Sequence, residues 1–369
     1  MYTSQMGIHT RELFRELEPY AWEPSNAQIA REVGLNPNQI RRFDTNTSPY
    51  PPEKWLSELS TNLQNFHVNN YPDTSYSELT RSIAEYAKTG TKNLVITNGA
   101  DEGLDISVKT FIDSGCVGIT SVPTYSYFSI VITLMGGKVI GVPRKEGFQD
   151  DIEKIISESK KNARMIFLCN PNNPTGNKVE RDTVVNILEN SECAVVVDEA
   201  YFEFSGNSLS DLITKYDNLI IIRTFSKAFS LAGVRVGYII ASENMVEALH
   251  KVRPPNSLST LSLSLAKMAL GDIDLMKSWV RDILKEKDRC LNIIRCTDGL
   301  ETHVTETNFL LIKFNDADPS EIYKKLLEKG LVLRNMTGVP GLEKYLRFSV
   351  GLKRDNDSVL DLITKLSNK

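Results

Sequence analysis

Between residues 94 and 241 the chain repeats one device seven times: a short apolar run, then a polar stretch of loop or helix length. The runs are LVIT (94–97), VGITSVP (117–123), KVIGVP (138–143), MIFLCNP (165–171), AVVVDEA (194–200), LIIIRT (219–224) and VGYIIA (236–241). They are rich in β-branched residues and nearly continuous, where a strand with one wet face would alternate apolar with polar. Such runs belong to strands buried on both faces. The spacing therefore predicts an α/β fold with a large, mostly parallel seven-stranded sheet and helices on both sides. Ligands of such sheets bind beyond the carboxyl ends of the strands. The residues just after each run are the candidates for chemistry.

From about Ser257 the pattern changes. A long helical stretch, LSTLSLSLAKMALGDIDLMKSWVRDILKEKDRCLNIIR, leads into NFLLIKF (308–314), SEIYKKLLEKG (320–330), LVLRNM and LRFSVG. This reads as a smaller α/β domain at 257–369, joined by an N-terminal arm at 1–45, with the large domain at 46–256 between them. Length alone favours two domains over one. The net charge of −4 comes without a basic cluster, which argues against nucleic acid. Five cysteines at 116, 169, 193, 290 and 296 form no C-x-x-C pair, so neither a zinc site nor a disulfide framework is expected. No run approaches membrane-spanning length and the N-terminus has no signal-type apolar core. The expectation is a cytoplasmic protein that engages neither membrane nor metal.

Several strand ends carry reactive groups. FSKAFSLAGVRVGY (225–238) sets Lys227 among Phe225, Ala228 and Phe229, with Arg235 eight residues on. Burial lowers a lysine pKa and makes a nucleophile of the amine; alternatively the stem packs and the ammonium reaches water. Asp198 and Tyr201 follow AVVV, where a carboxylate is catalytic or merely solvated. PNNPTG (171–176) holds Asn172 and Asn173 and is otherwise a plain turn. Asn98-Gly99-Ala100-Asp101-Glu102 opens a helix, where acids complement the dipole and free N–H groups suit a phosphate. No G-x-G-x-x-G or Walker loop is present, so a dinucleotide or nucleoside triphosphate is not indicated. A neutral lysine can form a Schiff base with an aldehyde cofactor, and a carboxylate can keep a pyridine nitrogen protonated. Taken together these groups suit pyridoxal phosphate.

The ordered set ELEPY, TNTSPYPP, NNYPDTSYSELTRSIAEY, TNGADEGLD, PTYSYF, NPNNPTG, VVVDEAYFEF, TFSKAFSLAGVRVGY and LRFSVG spans nearly the whole chain. It resembles the fold type I pyridoxal-phosphate enzymes of the class I/II aminotransferase family, and within them the histidinol-phosphate aminotransferases. The resemblance implies an aminotransferase of histidine biosynthesis that works in ping-pong fashion on an amino donor and a 2-oxo acid. It implies catalytic roles for Lys227 (Schiff base and general base), Asp198 (ring nitrogen) and Tyr201, which with Asn173 meets the ring's phenolic oxygen. Tyr125 would stack on the ring. Ala100 and Asp101 would offer backbone N–H groups to the cofactor phosphate, with Thr224, Ser226 and Arg235. Tyr71 would reach the phosphate of a neighbouring subunit, implying a homodimer with shared sites. For the substrate, Arg347 matches the arginine that takes the carboxylate. Arg334, thirteen positions earlier, matches a second arginine for the substrate phosphate. Tyr20, Asn46 and Asn173 would complete that pocket.

The chain departs from this pattern in two places. The usual NENPYGP is TNTSPYPP here, and the PYVPGKP-like arm reads PYAWEPS, with Trp22 for a small residue and the glycine missing. Both lie where substrate enters. Aminotransferases of aromatic or other amino acids, threonine-phosphate decarboxylases and non-catalytic pyridoxal-phosphate regulators are the competing readings.

Overall fold

Alternation along the apolar runs sorts their side chains into two cores. In the computed structural model, which describes residues 11–15 and 23–367, twelve runs are strands. They are β1 (Arg41–Phe43), β2 (Leu94–Thr97), β3 (Val117–Val122), β4 (Lys138–Pro143), β5 (Ala163–Cys169) and β6 (Ala194–Asp198). There follow β7 (Leu219–Thr224), β8 (Gly237–Ala241), β9 (Leu300–Thr302), β10 (Phe309–Phe314), β11 (Leu331–Asn335) and β12 (Tyr345–Ser349). Val195, Val197, Leu219 and Ile221 face one core, whereas Val196, Ile220 and Ile222 face the other. Helices cover both sides. Val184, Ile187 and Leu188 come from one layer, and Leu104, Ile106 and Val108 from the other.

The seven-stranded sheet has the order β2-β8-β7-β6-β5-β3-β4. All its pairings are parallel except those of β8, which runs antiparallel to both β2 and β7. The carboxyl ends of β6 and β7 therefore open on the same edge, with the start of the helix Gly99–Phe111 after β2 beside them.

A second, five-stranded sheet has the order β1-β11-β12-β10-β9. β1 joins it in parallel with β11, so residues 41–43 belong to this sheet although they precede the large one. Helices Ile273–Arg295, Pro319–Glu328 and Lys353–Ser367 cover one face, where Leu333, Leu346 and Phe348 point. Strand residues alternate faces, so Arg334 and Arg347 point away from those helices. The long helical stretch expected after Ser257 is two helices, Thr260–Leu270 and Ile273–Arg295, interrupted at Gly271-Asp272. Among the described residues no helix is long and apolar enough to cross a membrane, and no cluster of His, Cys, Asp and Glu could hold a metal ion.

Candidate active site

The ends of β6 and β7 deliver two buried groups, Asp198 and Tyr201, and the half-buried Lys227 to one cavity of about 460 Å³ between the two sheets. Asp198 closes β6 and is 4% exposed; its Oδ1 accepts from the Ala200 N–H at 3.0 Å. Burial, the dominant influence, raises its pKa to about 7. Tyr201 lies three residues on, packed edge-to-face on Phe309 at 5.5 Å. Lys227 follows β7 and its Nζ donates to the Thr45 carbonyl at 3.0 Å. Its pKa is lowered to about 8, first by burial and next by the positive charge of Arg347.

A cationic corner adjoins them. Thr224 Oγ1 hydrogen-bonds Ser226 Oγ at 2.9 Å and accepts from the Ser226 N–H at 3.1 Å. Arg235, in the left-handed region at φ 56°, donates to Ser226 Oγ at 3.3 Å and pairs with Asp101 Oδ2 at 3.0 Å. Tyr125 donates its hydroxyl to Asp101 Oδ1 at 3.0 Å. The start of helix Gly99–Phe111 presses close to the sheet because Gly237 has no side chain. A Cβ there would lie 2.6 Å from Gly99 C and 2.9 Å from Ala100 N.

The opposite wall comes from the small sheet. Arg334 and Arg347 are direct cross-strand partners on β11 and β12, and both line the cavity. Like charges opposite one another repel unless an anion lies between or beside them. Arg347 donates to Asn173 Oδ1 at 2.5 Å and to the Asp44 carbonyl. Arg334 pairs with Glu23 at 2.8 Å.

Of the residues expected from sequence, Ala100, Asp101, Tyr125, Asn173, Asp198, Tyr201, Thr224, Ser226, Lys227, Arg235, Arg334, Arg347 and Asn46 all line this one cavity. Tyr71 does not line it; its side chain is 83% exposed. Tyr20 and Trp22 lie outside the described residues. Asn46 faces the cavity, yet its amide is engaged by protein: Nδ2 donates to Tyr201 OH at 2.9 Å and Oδ1 accepts from Ser349 Oγ at 2.8 Å. Asp101 presents its carboxylate to Arg235 and Tyr125. Sequence reasoning missed Thr45, Asp44 and Glu23. The first two act through carbonyl oxygens, which no residue type announces. Glu23 stood where a family glycine is absent, and that was the available signal. Cys169 also lines the cavity, but burial pushes its thiol pKa up and keeps it inert.

The family model described as "Aminotransferase class I and II" matches residues 31–363, most of the chain. The chain belongs to the class I and II aminotransferase family. This aminotransferase is 36% identical to the histidinol-phosphate aminotransferase of Thermoanaerobacter pseudethanolicus over 327 residues, covering 88% of this chain and 92% of that protein. It is 37% identical to that of Pyrococcus furiosus over 319 residues, covering 86% and 90%. The crystal structure of histidinol-phosphate aminotransferase from Sinorhizobium meliloti, solved in complex with pyridoxal-5′-phosphate, superposes with a TM-score of 0.88 at 25% identity over 99% of both chains. The aminotransferase therefore has the fold type I architecture, a seven-stranded mostly parallel sheet with a smaller sheet beside it. Its reaction class is transamination between an amino donor and a 2-oxo acid.

Proposed function

We propose that this aminotransferase uses pyridoxal 5′-phosphate to move the amino group of L-histidinol phosphate to 2-oxoglutarate, in histidine biosynthesis. The observation that carries the substrate is the Arg334–Arg347 pair. The two arginines are cross-strand partners on β11 and β12, and both line the cavity that holds Lys227 and Asp198. A dianionic phosphate, and in turn a dicarboxylate, relieves the repulsion between them better than a single carboxylate does.

The donor set fits the cofactor. A buried carboxylate, an amine of lowered pKa and a helix start beside Thr224, Ser226 and Arg235 are the groups a protonated ring, an aldehyde and a phosphate require. The space left by Gly237 lets backbone amides of the helix start reach the same corner. When bound, pyridoxal phosphate supplies an aldehyde for amines and an electron-withdrawing ring. We assign Asp198 to hold the ring nitrogen protonated; a cation beside it favours its ionised form. Lys227, with a pKa of about 8, carries the amine that is exchanged and then moves the proton at the substrate carbon. Asn46 donates to the Tyr201 oxygen, leaving the tyrosine's own proton for the phenolic oxygen beside Asn173. Tyr125 is assigned to ring stacking, and Ala100, Asp101, Thr224, Ser226 and Arg235 to the phosphate. Tyr20, Asn46, Asn173, Arg334 and Arg347 are assigned to substrate. The amino donor and the 2-oxo acid take turns in one site, which is ping-pong kinetics.

We also propose a cytoplasmic homodimer in which Tyr71 reaches the partner's cofactor phosphate. Its exposure supports this reading. The division into an arm at 1–45, a large domain at 46–256 and a small one at 257–369 is supported by the pairing of residues 41–43 with the small sheet.

Titrating the purified holoenzyme with L-histidinol phosphate tests the substrate. The cofactor's visible band should fall, and 2-oxoglutarate should restore it. If phenylalanine bleaches the band and L-histidinol phosphate does not, the substrate assignment is wrong while the chemistry stands. Release of carbon dioxide from O-phosphothreonine would replace transamination with decarboxylation. Arg334→Ala should harm the phosphate substrate far more than phenylalanine.

A further inference from the structure

The lining of the cavity includes an anion supplied by the protein, on Arg334. Glu23 Oε1 lies 2.8 Å from Arg334 Nη1, and the two side chains are 29% and 31% exposed. The backbone beside Glu23 is held in place. Arg42 on β1 donates Nη1 to the Pro24 carbonyl at 2.7 Å. The same guanidinium forks onto the Asp44 carboxylate at 2.8 and 2.6 Å, so it is anchored at both ends. Asp44 in turn gives its carbonyl to Arg347, the cross-strand partner of Arg334. Arm and arginine pair thus form one connected polar structure.

A carboxylate seated on Arg334 is the same kind of group as the substrate anion that the two arginines are positioned to hold. Both cannot take that guanidinium in the same geometry, and left side by side they repel. Arg42 is already satisfied by Asp44, so it does not offer the arriving anion a free cation. We propose that Glu23 determines specificity as a built-in competitor for Arg334. An anionic distal group binds by exchanging with the Glu23 carboxylate, and an uncharged one is accepted with the Glu23–Arg334 pair closed. This rests on the assignment of Arg334 to the anionic end of the substrate. The pair is partly exposed and screened by solvent, so the competition changes anion affinity by roughly 2- to 5-fold.

The test is calorimetric titration of inorganic phosphate, at low salt, into cofactor-saturated holoenzyme. Four proteins are compared: wild type, Glu23→Gln, Arg334→Gln and the double variant. Glu23→Gln should tighten phosphate roughly 2- to 5-fold, Arg334→Gln should weaken it, and in the Arg334→Gln background the effect of Glu23→Gln should vanish. In parallel, the single-turnover preference for L-histidinol phosphate over L-phenylalanine should rise by the same factor in Glu23→Gln, through the apparent substrate constant and not the maximal rate. Phosphate binding that Glu23→Gln leaves unchanged or weakens overturns the inference, the second result meaning that Glu23 only orders the arm. Absence of phosphate binding by all four proteins overturns it as well. If L-histidinol phosphate reacts with neither protein while phosphate responds as described, the substrate assignment falls and Glu23's role stands. If that substrate reacts and phosphate is indifferent to Glu23, the reverse holds.

Discussion

At the scale of single residues, the amine of Lys227 is the group whose behaviour the surroundings alter most usefully. Burial and the positive charges of Arg347 and Arg235 lower its pKa, while Asp101 and Asp198 pull the other way without cancelling them. With a value of about 8, the amine is protonated and unreactive below that pH and nucleophilic above it. Competitive labelling of the cofactor-free protein with acetic anhydride, read at Lys227 by mass spectrometry, should titrate near pH 8. Arg347→Gln should move the midpoint upward, because it removes a neighbouring cation. An ordinary lysine midpoint in the wild type would remove the rationale for the buried site. That Lys227, Asp198 and Tyr201 converge on one cavity was legible in the sequence because each is an unusual residue just after a strand. Asn46 was legible only in part. Its place in the cavity was legible, but not that its amide lies between Tyr201 and Ser349, residues 155 and 303 positions away. No local pattern reports a contact over such a separation. We expect Asn46→Ala to cost about 1–3 kcal/mol of stability, the usual penalty for leaving buried polar partners unsatisfied, measurable by urea unfolding. An unchanged midpoint would mean that the link between the two sheets is carried elsewhere.

At the scale of elements, the cofactor corner depends on how closely the helix Gly99–Phe111 approaches β8. A Cβ at Gly237 would meet three backbone atoms: Gly99 C at 2.6 Å, Arg223 O at 2.8 Å and Ala100 N at 2.9 Å. Backbone yields less readily than a side-chain tip, so Gly237→Ala should destabilise the fold by about 1–3 kcal/mol. It should also weaken pyridoxal phosphate binding more than its effect on stability requires, since the displaced atoms belong to the helix start assigned to the phosphate. Thermal unfolding and fluorescence titration with the cofactor would measure the two separately. Equal cofactor affinity in the variant would sink the close-approach argument. The other strands were readable because doubly buried strands need continuous apolar runs, whereas β4 lies at the sheet edge with only Val142 buried, against the expectation of burial on both faces. Their direction was not. VGYIIA looks the same whether β8 runs with or against its neighbours, and a connection from β7 with only a short turn of 3-10 helix at Ala232–Val234 returns it antiparallel. The break at Gly271-Asp272 was similarly hidden, because the apolar pattern continues on both sides.

At the scale of the whole molecule, the surface carries an apolar segment that a single chain leaves in water. Leu56, Leu63, Val68 and Tyr71 are 46, 50, 75 and 83% exposed within sixteen residues of sequence. Scattered exposed apolar side chains need no explanation, but several in one segment mark a surface meant to be covered. A second copy is the occupant we assign, because this segment includes the tyrosine that its own cavity does not use. On the dimer proposed above, Tyr71 would join the oligomer to the chemistry. Sedimentation velocity of the wild type at micromolar concentration should give the mass of two chains. Val68→Glu puts a charge into the proposed contact and should shift the distribution toward one chain, with cofactor affinity falling in proportion. Tyr71→Phe should behave differently: the dimer persists, since the ring still packs, and only cofactor affinity drops, because the hydroxyl proposed to reach the partner's phosphate is gone. A wild-type protein that sediments as a single chain, or a Tyr71→Phe variant that binds cofactor as the wild type does, would detach Tyr71 from the active site and leave the exposed segment to some other partner.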